Sequence, residues 1–195
     1  MILRAMGLLL ALLELVWYVY LLRKPFPIWP GFLPLHLCDV VVWLTVLSSL
    51  FAIQRIREMA YYWGLSGTSL ALLMPDVQGL SVSYPVIQFF VSHGLVVATL
   101  LVMTISHEFR PPKGSLLRAV IVLHVYAGFV GGFNALFGTN YMYMRNLPSG
   151  ETVLDLMGPW PWYLAGADAI GVVLFCLLWL PFRNVAPEQS VTPSG

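Results

Sequence analysis

Charge is scarce in this 195-residue chain: Asp, Glu, Lys and Arg make up 10% of it, hydrophobic residues 59%, and the formal net charge is +1. Soluble domains carry about 25% charged residues, so the composition excludes an ordinary soluble fold. The small net charge leaves no basic face, and nucleic acid is excluded as a partner. Cysteine is scarce too. Cys38 and Cys176 both lie in apolar runs and build no disulfide framework. No Cys-x₂-Cys or His-x₃-His spacing suggests a metal site. His36, Cys38, Asp39 and His93 are weighed as ligands and set aside, because Cys38 points about 160° from His36 on an ideal helix. No phosphate-cradling glycine motif is present, so we expect no metal and no other cofactor. Internal repeats are also absent.

Apolar runs fill the chain instead, with a mean hydropathy of +0.81. The expected fold is all-α: a polytopic transmembrane helical bundle with six spans in a single domain, 1–182. The expected spans are about Ile2 to Leu22, Leu35 to Gln54, Met59 to Met74, Pro85 to Ser106, Leu116 to Phe137, and a last one opened by Gly158-Pro-Trp-Pro-Trp-Tyr163 and ending near Phe182. The first run has an early Arg4, as a signal peptide does, yet it carries Glu14 and no small-residue cleavage site, so it reads as a retained helix. Prolines stiffen the loop from Pro25 to Gly31. Gly64, Ser66, Gly67 and Ser69 are small enough for close helix packing. The tail 183–195 is polar and expected to be disordered.

Alternating spans put Arg4, Arg55, Arg57, Arg110, Lys113, Arg118 and Arg183 on one side, and Arg23, Lys24 and Arg145 on the other. The positive-inside rule then makes both termini cytosolic, in a multi-pass protein expected in the cell membrane. Leu33-Pro-Leu-His36-Leu-Cys38-Asp39 lies at the opposite, outer mouth of span two. His93 lies about 12 Å into span four at 1.5 Å per residue. Ionisable residues in a span are expensive and usually face a bundle interior or a wet cavity. The polar groups therefore converge in the outer half of the bundle.

Six stretches carry a resemblance: Leu33 to Asp39, Tyr62-Trp63-Gly64-Leu65, Leu73-Met-Pro75-Asp76, Gln88-Phe-Phe-Val-Ser-His93-Gly94, Gly138-Thr-Asn140-Tyr-Met-Tyr143, and Gly158 to Tyr163. Together they resemble the YwaF-like family of bacterial integral membrane proteins, over about Leu33 to Phe182. Its eukaryotic relatives are the transmembrane acyltransferases that load polyunsaturated chains onto ether phospholipids. The resemblance implies a catalytic cysteine and histidine at Cys38 and His93, and membrane lipids as partners, with a phospholipid or acyl chain as substrate. A more distant group of fatty-acid-ester hydrolases has a threonine in place of the cysteine. Family members usually carry one more span before the one that opens this chain, which implies a shortened or misassigned start.

The chemistry fits those residue types. Acyl transfer needs a nucleophile that can be acylated and a base within about 3 Å of its proton, and a thiolate is strongly nucleophilic. His36 or Asp39 would orient His93, and Gln88 or Asn140 would donate to an oxyanion. The expectation is therefore a lipid acyltransferase or lipid ester hydrolase. The alternatives are a transporter or channel-like protein using the same polar residues, and a non-catalytic structural membrane protein. Glu14 and Asp168 are read as structural, with Asp168 free to pair with His124. Tyr141, Tyr143, Trp160, Trp162 and Tyr163 read as an interfacial aromatic belt.

Overall fold

A chain in lipid must satisfy its backbone polar groups internally, and long apolar runs do so as helices. The computed structural model describes residues 1–24, 29–75, 82–148 and 152–184. The readings that fall on Pro25 to Ile28, on Asp76 and on the tail from residue 185 lie outside the described residues. Among the described residues every regular element is helical. The helices are α1 (Ile2–Leu22), α2 (Leu37–Phe51), α3 (Gln54–Met59), α4 (Ser69–Leu73), α5 (Tyr84–Ile105), α6 (Ser115–Phe137) and α7 (Trp162–Trp179). A π-helical stretch, Ala60–Thr68, joins α3 to α4 into one rod, so the bundle has six rods among the described residues. Four segments are long and apolar enough to cross a membrane: Ile2–Leu22, Tyr84–Ile105, Ser115–Phe137 and Trp162–Phe182. Leu37–Phe51 is apolar but shorter.

The second helix stops before Gln54 because Ala52 adopts a left-handed conformation (φ 54°) and Ile53 is extended, which breaks the helical ladder. α6 ends at Gly138 in the same left-handed region (φ 70°), where glycine carries no Cβ penalty.

The rod running from α3 to α4 is the centre of the bundle. Tyr61, Tyr62 and Trp63 are consecutive and all buried, so this rod has no single lipid-facing side at that level. Each aromatic hydrogen-bonds a different position on the surrounding helices. The Tyr61 hydroxyl donates to the Leu178 carbonyl (3.0 Å), Tyr62 meets the Ser115 hydroxyl (3.0 Å), and the Trp63 indole N–H donates to the Ala119 carbonyl (3.2 Å). π-helical turns are rare and often mark functional places; here the stretch presents three neighbouring aromatic residues to α6 and α7. Gly64 fulfils the small-residue expectation: a Cβ there would collide with Leu100 and press on Val41. Gly67 does not, for its nearest outside atom is 3.9 Å away.

The basic residues of α3 and α6 meet at one end of the bundle. Glu58, fully buried, accepts from Arg118 Nε at 2.8 Å and from Arg55 at 3.1 Å. Arg57 donates to the carbonyls of Ser48 (3.2 Å) and Glu108 (2.6 Å), tying α2 and the α5–α6 turn to α3. Around them α1 packs against α2 and α5, and α7 against the π stretch. The outer faces of α1, α6 and α7 stay rich in exposed Leu, Val, Ile and Phe, as lipid contact requires.

Candidate active site

A cavity of about 840 Å³ opens at the end of the bundle where α2 and α5 begin. Helical spacing decides who faces it. α1 contributes Glu14 and Trp17, three apart; α2 contributes Cys38, Asp39 and Val42; α5 contributes Pro85, Gln88, Phe89, Ser92 and His93. α4, α7 and the segment from Tyr143 to Met157 supply mostly apolar walls. The cavity thus brings together Cys38, His93, His36, Asp39 and Gln88.

His93 is buried and its ring is fixed. Nδ1 lies 2.8 Å from the Phe89 carbonyl, one turn earlier on α5, and 3.3 Å from Ser92 Oγ. A carbonyl can only accept, so Nδ1 carries the proton and the neutral ring keeps its lone pair on Nε2. Nε2 is buried and has no hydrogen-bond partner among the described residues. The group that orients His93 is therefore a backbone carbonyl of its own helix, where the sequence suggested His36 or Asp39.

Those two residues do other work. His36 is the N-cap of α2, in extended conformation. Its Nδ1 accepts the Met142 backbone N–H at 3.4 Å, and its ring packs edge-on against Tyr141 and beside Tyr143. Asp39 lies in the first turn of α2, where a carboxylate suits the positive end of the helix. Cys38 lies between them, one residue before Asp39 and half-buried as a free thiol. No hydrogen bond joins Cys38 to His93.

Asn140 stands apart. Its amide donates to the Asn146 carbonyl (2.8 Å), and its oxygen accepts from the N–H groups of Arg145 (3.0 Å) and Asn146 (3.1 Å). It closes its own loop and is not among the residues lining the cavity.

The polar keystone is Asn134, which sequence reasoning passed over. Fully buried near the end of α6, it brackets the Tyr141 backbone: Nδ2 donates to the Tyr141 carbonyl (2.9 Å) and Oδ1 accepts the Tyr141 N–H (2.9 Å). Thr139 donates to the same Oδ1 at 2.8 Å. Tyr141, so held, accepts the Leu33 N–H (3.0 Å) and donates to the Pro30 carbonyl (2.6 Å). Burial pushes its phenol above the ordinary range, so it remains a neutral hydroxyl able to donate. Tyr126 adds a bond to the Leu35 carbonyl (2.9 Å). These tyrosines fix the segment that delivers His36 and Cys38 to the cavity.

The model of the TMEM164 family matches residues 1–179. The chain belongs to the TMEM164 family. No curated protein and no solved structure matches it. Every lining residue of the cavity lies within the matched TMEM164 segment.

Glu14, Trp17 and Ser92 also line this TMEM164-family cavity, and the sequence had not placed them there. Glu14 had a usable signal, a carboxylate in the middle of an apolar run, but periodicity alone does not say which side of α1 faces protein. Asp168 does pair with His124, at 3.3 Å, on a half-exposed face of α6 and α7 away from the cavity. Of the aromatic belt, Trp160 and Tyr163 have a second role. Trp160 donates to the Met144 carbonyl (3.1 Å) and Tyr163 to the Tyr143 carbonyl (2.6 Å), locking the segment above the cavity.

Proposed function

We propose that this chain is a lipid acyltransferase or lipid ester hydrolase of the membrane, with Cys38 as nucleophile and His93 as general base. The observation that carries the reading is the bare Nε2 of His93, held in the base tautomer by Phe89, on the wall of the cavity that Cys38 shares. The YwaF-like resemblance supports the same pair.

In this mechanism the Cys38 thiol gives its proton to His93 Nε2, directly or through one water, as a substrate ester settles in the cavity. The sulfur attacks the ester carbonyl, and a tetrahedral oxyanion forms. The side-chain amide of Gln88, which lines the cavity, donates to the oxyanion. Collapse breaks the ester C–O bond. The alcohol leaves with the proton from His93, and a thioester remains on Cys38. A second hydroxyl, from a lysolipid or from water, then gives its proton to Nε2 and attacks the thioester, which returns the free thiol. The apolar walls formed by Val42, Leu70, Val86, Phe89, Leu154 and Ile170 receive the acyl chain. With both termini cytosolic, as the basic residues suggest, the cavity faces the outer leaflet of the cell membrane.

The test is acyl-enzyme trapping. Purified chain in detergent is treated with a lipid-like acyl electrophile and read by intact mass, beside Cys38→Ala and His93→Ala. One adduct, lost in the first variant and slowed in the second, is expected. Labelling of Cys176 alone, or of nothing, would overturn the reading and turn attention to solute flux.

A further inference from the structure

Two buried side-chain atoms lack a hydrogen-bond partner among the described residues: His93 Nε2 and Glu14 Oε1. Both residues line the same cavity. They lie at a similar level, about 12 Å below the end of α1 and about 14 Å below the start of α5 at 1.5 Å per residue. Glu14 is 2% exposed. A carboxylate so placed in a span is costly to leave uncompensated, and the Tyr18 hydroxyl lies beside it, one turn along α1. Another carboxylate, Asp39, acts on it across the same cavity wall. No lysine or arginine is among the residues lining the cavity.

The wall is therefore rich in acceptors and has no cation of its own. Glu14 and Asp39 carry negative charge when ionised, and His93 offers a lone pair. One turn after Glu14, Trp17 lines the same wall, stacked on Tyr20 at 5.5 Å between ring centres and 6.1 Å from Tyr84. An indole face beside carboxylates favours an ammonium. Two carboxylates without a counter-cation repel a phosphate or carboxylate placed among them. The rest of the lining is mostly apolar.

We propose that the cavity binds the ammonium group of an amphiphile, with Glu14 as its counter-ion, Asp39 as a second acceptor and Trp17 as an aromatic cover. This deepens the lipid reading above and rests on it for the occupant of the apolar walls. The ammonium can come from a long-chain amine or from the ethanolamine headgroup of a phospholipid, and the experiment separates them.

The purified full chain in detergent is titrated by native mass spectrometry in two arms. The first compares hexadecylamine with hexadecanol. The second compares a short-chain phosphatidylethanolamine with the matching phosphatidylglycerol. In at least one arm the ammonium ligand is expected to bind ten times more tightly or better. Glu14→Gln should cut that preference at least fivefold and leave the neutral or anionic control unchanged, whereas Glu14→Asp should keep it. Preference in the first arm alone assigns a free amine; preference in the second assigns a headgroup. Ratios near one in both arms, or a preference that Glu14→Gln leaves intact, would overturn the proposal. Should Glu14→Gln fail to fold, Asp39→Asn and the ratios of the unaltered chain still decide it. The titration needs no turnover and is repeated in Cys38→Ala. A preference kept there beside a failed trapping assay sinks only the enzyme reading; adduct formation with no preference sinks only this one.

Discussion

Asn134→Ala should destabilise the chain far more than Asn140→Ala, although both residues make three side-chain hydrogen bonds. Asn134 is fully buried, and its removal leaves the N–H of the buried Tyr141 without a partner and its carbonyl with only the long bond from the Met144 N–H at 3.4 Å. Each orphaned buried group costs about 1–3 kcal/mol. Thr139 can turn its hydroxyl elsewhere, so the orphaned N–H and the weakened carbonyl set the magnitude, about 2–4 kcal/mol after local relaxation. For a chain of this size 1 kcal/mol shifts the melting point by about 2–4 °C, so a fall of roughly 4–16 °C is expected. Asn140 serves an exposed loop whose groups can return to water, and its loss should cost about 1 kcal/mol or less. Thermal unfolding in detergent, followed by circular dichroism, measures both variants side by side. Equal shifts, or a shift below about 2 °C for Asn134→Ala, would falsify the claim that the Tyr141 bracket holds this end of the bundle.

Three further outcomes follow from the packing. Tyr141→Phe removes the hydroxyl that bridges Leu33 and Pro30; it should cost about 1–2 kcal/mol and speed hydrogen exchange at the Leu33 amide, and an unchanged exchange rate there would count against the tether. Gly64→Ala should cost about 1–3 kcal/mol by overpacking against the buried Leu100. Gly128→Ala, with no atom within 4 Å of its Cβ, should be neutral or slightly stabilising, so melting curves that rank the two the other way would refute the close approach at Gly64. Arg118→Leu should destabilise more than Glu58→Gln, because it leaves the buried Glu58 carboxylate with only the well-exposed Arg55. Equal losses in a denaturant titration would mean that the carboxylate is not held by Arg118.

The sequence reads well where burial follows composition and poorly where it follows direction. Apolar length alone places α1, α5 and α6 within a residue of their observed ends, and the convergence of Cys38, Asp39, Gln88 and His93 on one cavity follows from their lying in the same half of the bundle. The end of α2 is missed because Ala52 is left-handed, which no residue preference announces. The π stretch is missed because its cause is tertiary: three neighbouring aromatics each find a partner on another helix. Asn140 and Asn134 are exchanged for a similar reason. Both flank the same turn, and only the fold decides which one points inward. The orienting partner of His93 is a carbonyl, and backbone acceptors have no sequence signature at all.

The contrast between saturated and bare polar groups argues for where ligand belongs. Tyr62, Trp63, Asn134 and Tyr141 each spend their polar side-chain groups on partners within the fold. A chain that satisfies those positions has the means to satisfy Glu14 and His93, yet it leaves one atom of each bare towards the same cavity. Such atoms weaken the empty protein and are useful only when something fills the space. Glu14→Met, similar in length and without the carboxylate, should therefore raise the melting point of the ligand-free chain. Relief of one unpartnered buried polar atom is worth about 1–3 kcal/mol, or roughly 2–12 °C here. The same variant should lose the preference for an ammonium ligand, the usual opposition between stability and function at a binding site. If Glu14→Met instead melts below the natural chain, the carboxylate is held by the fold itself, and Glu14 belongs with Asn134 among the residues that build the cavity, not among those that use it.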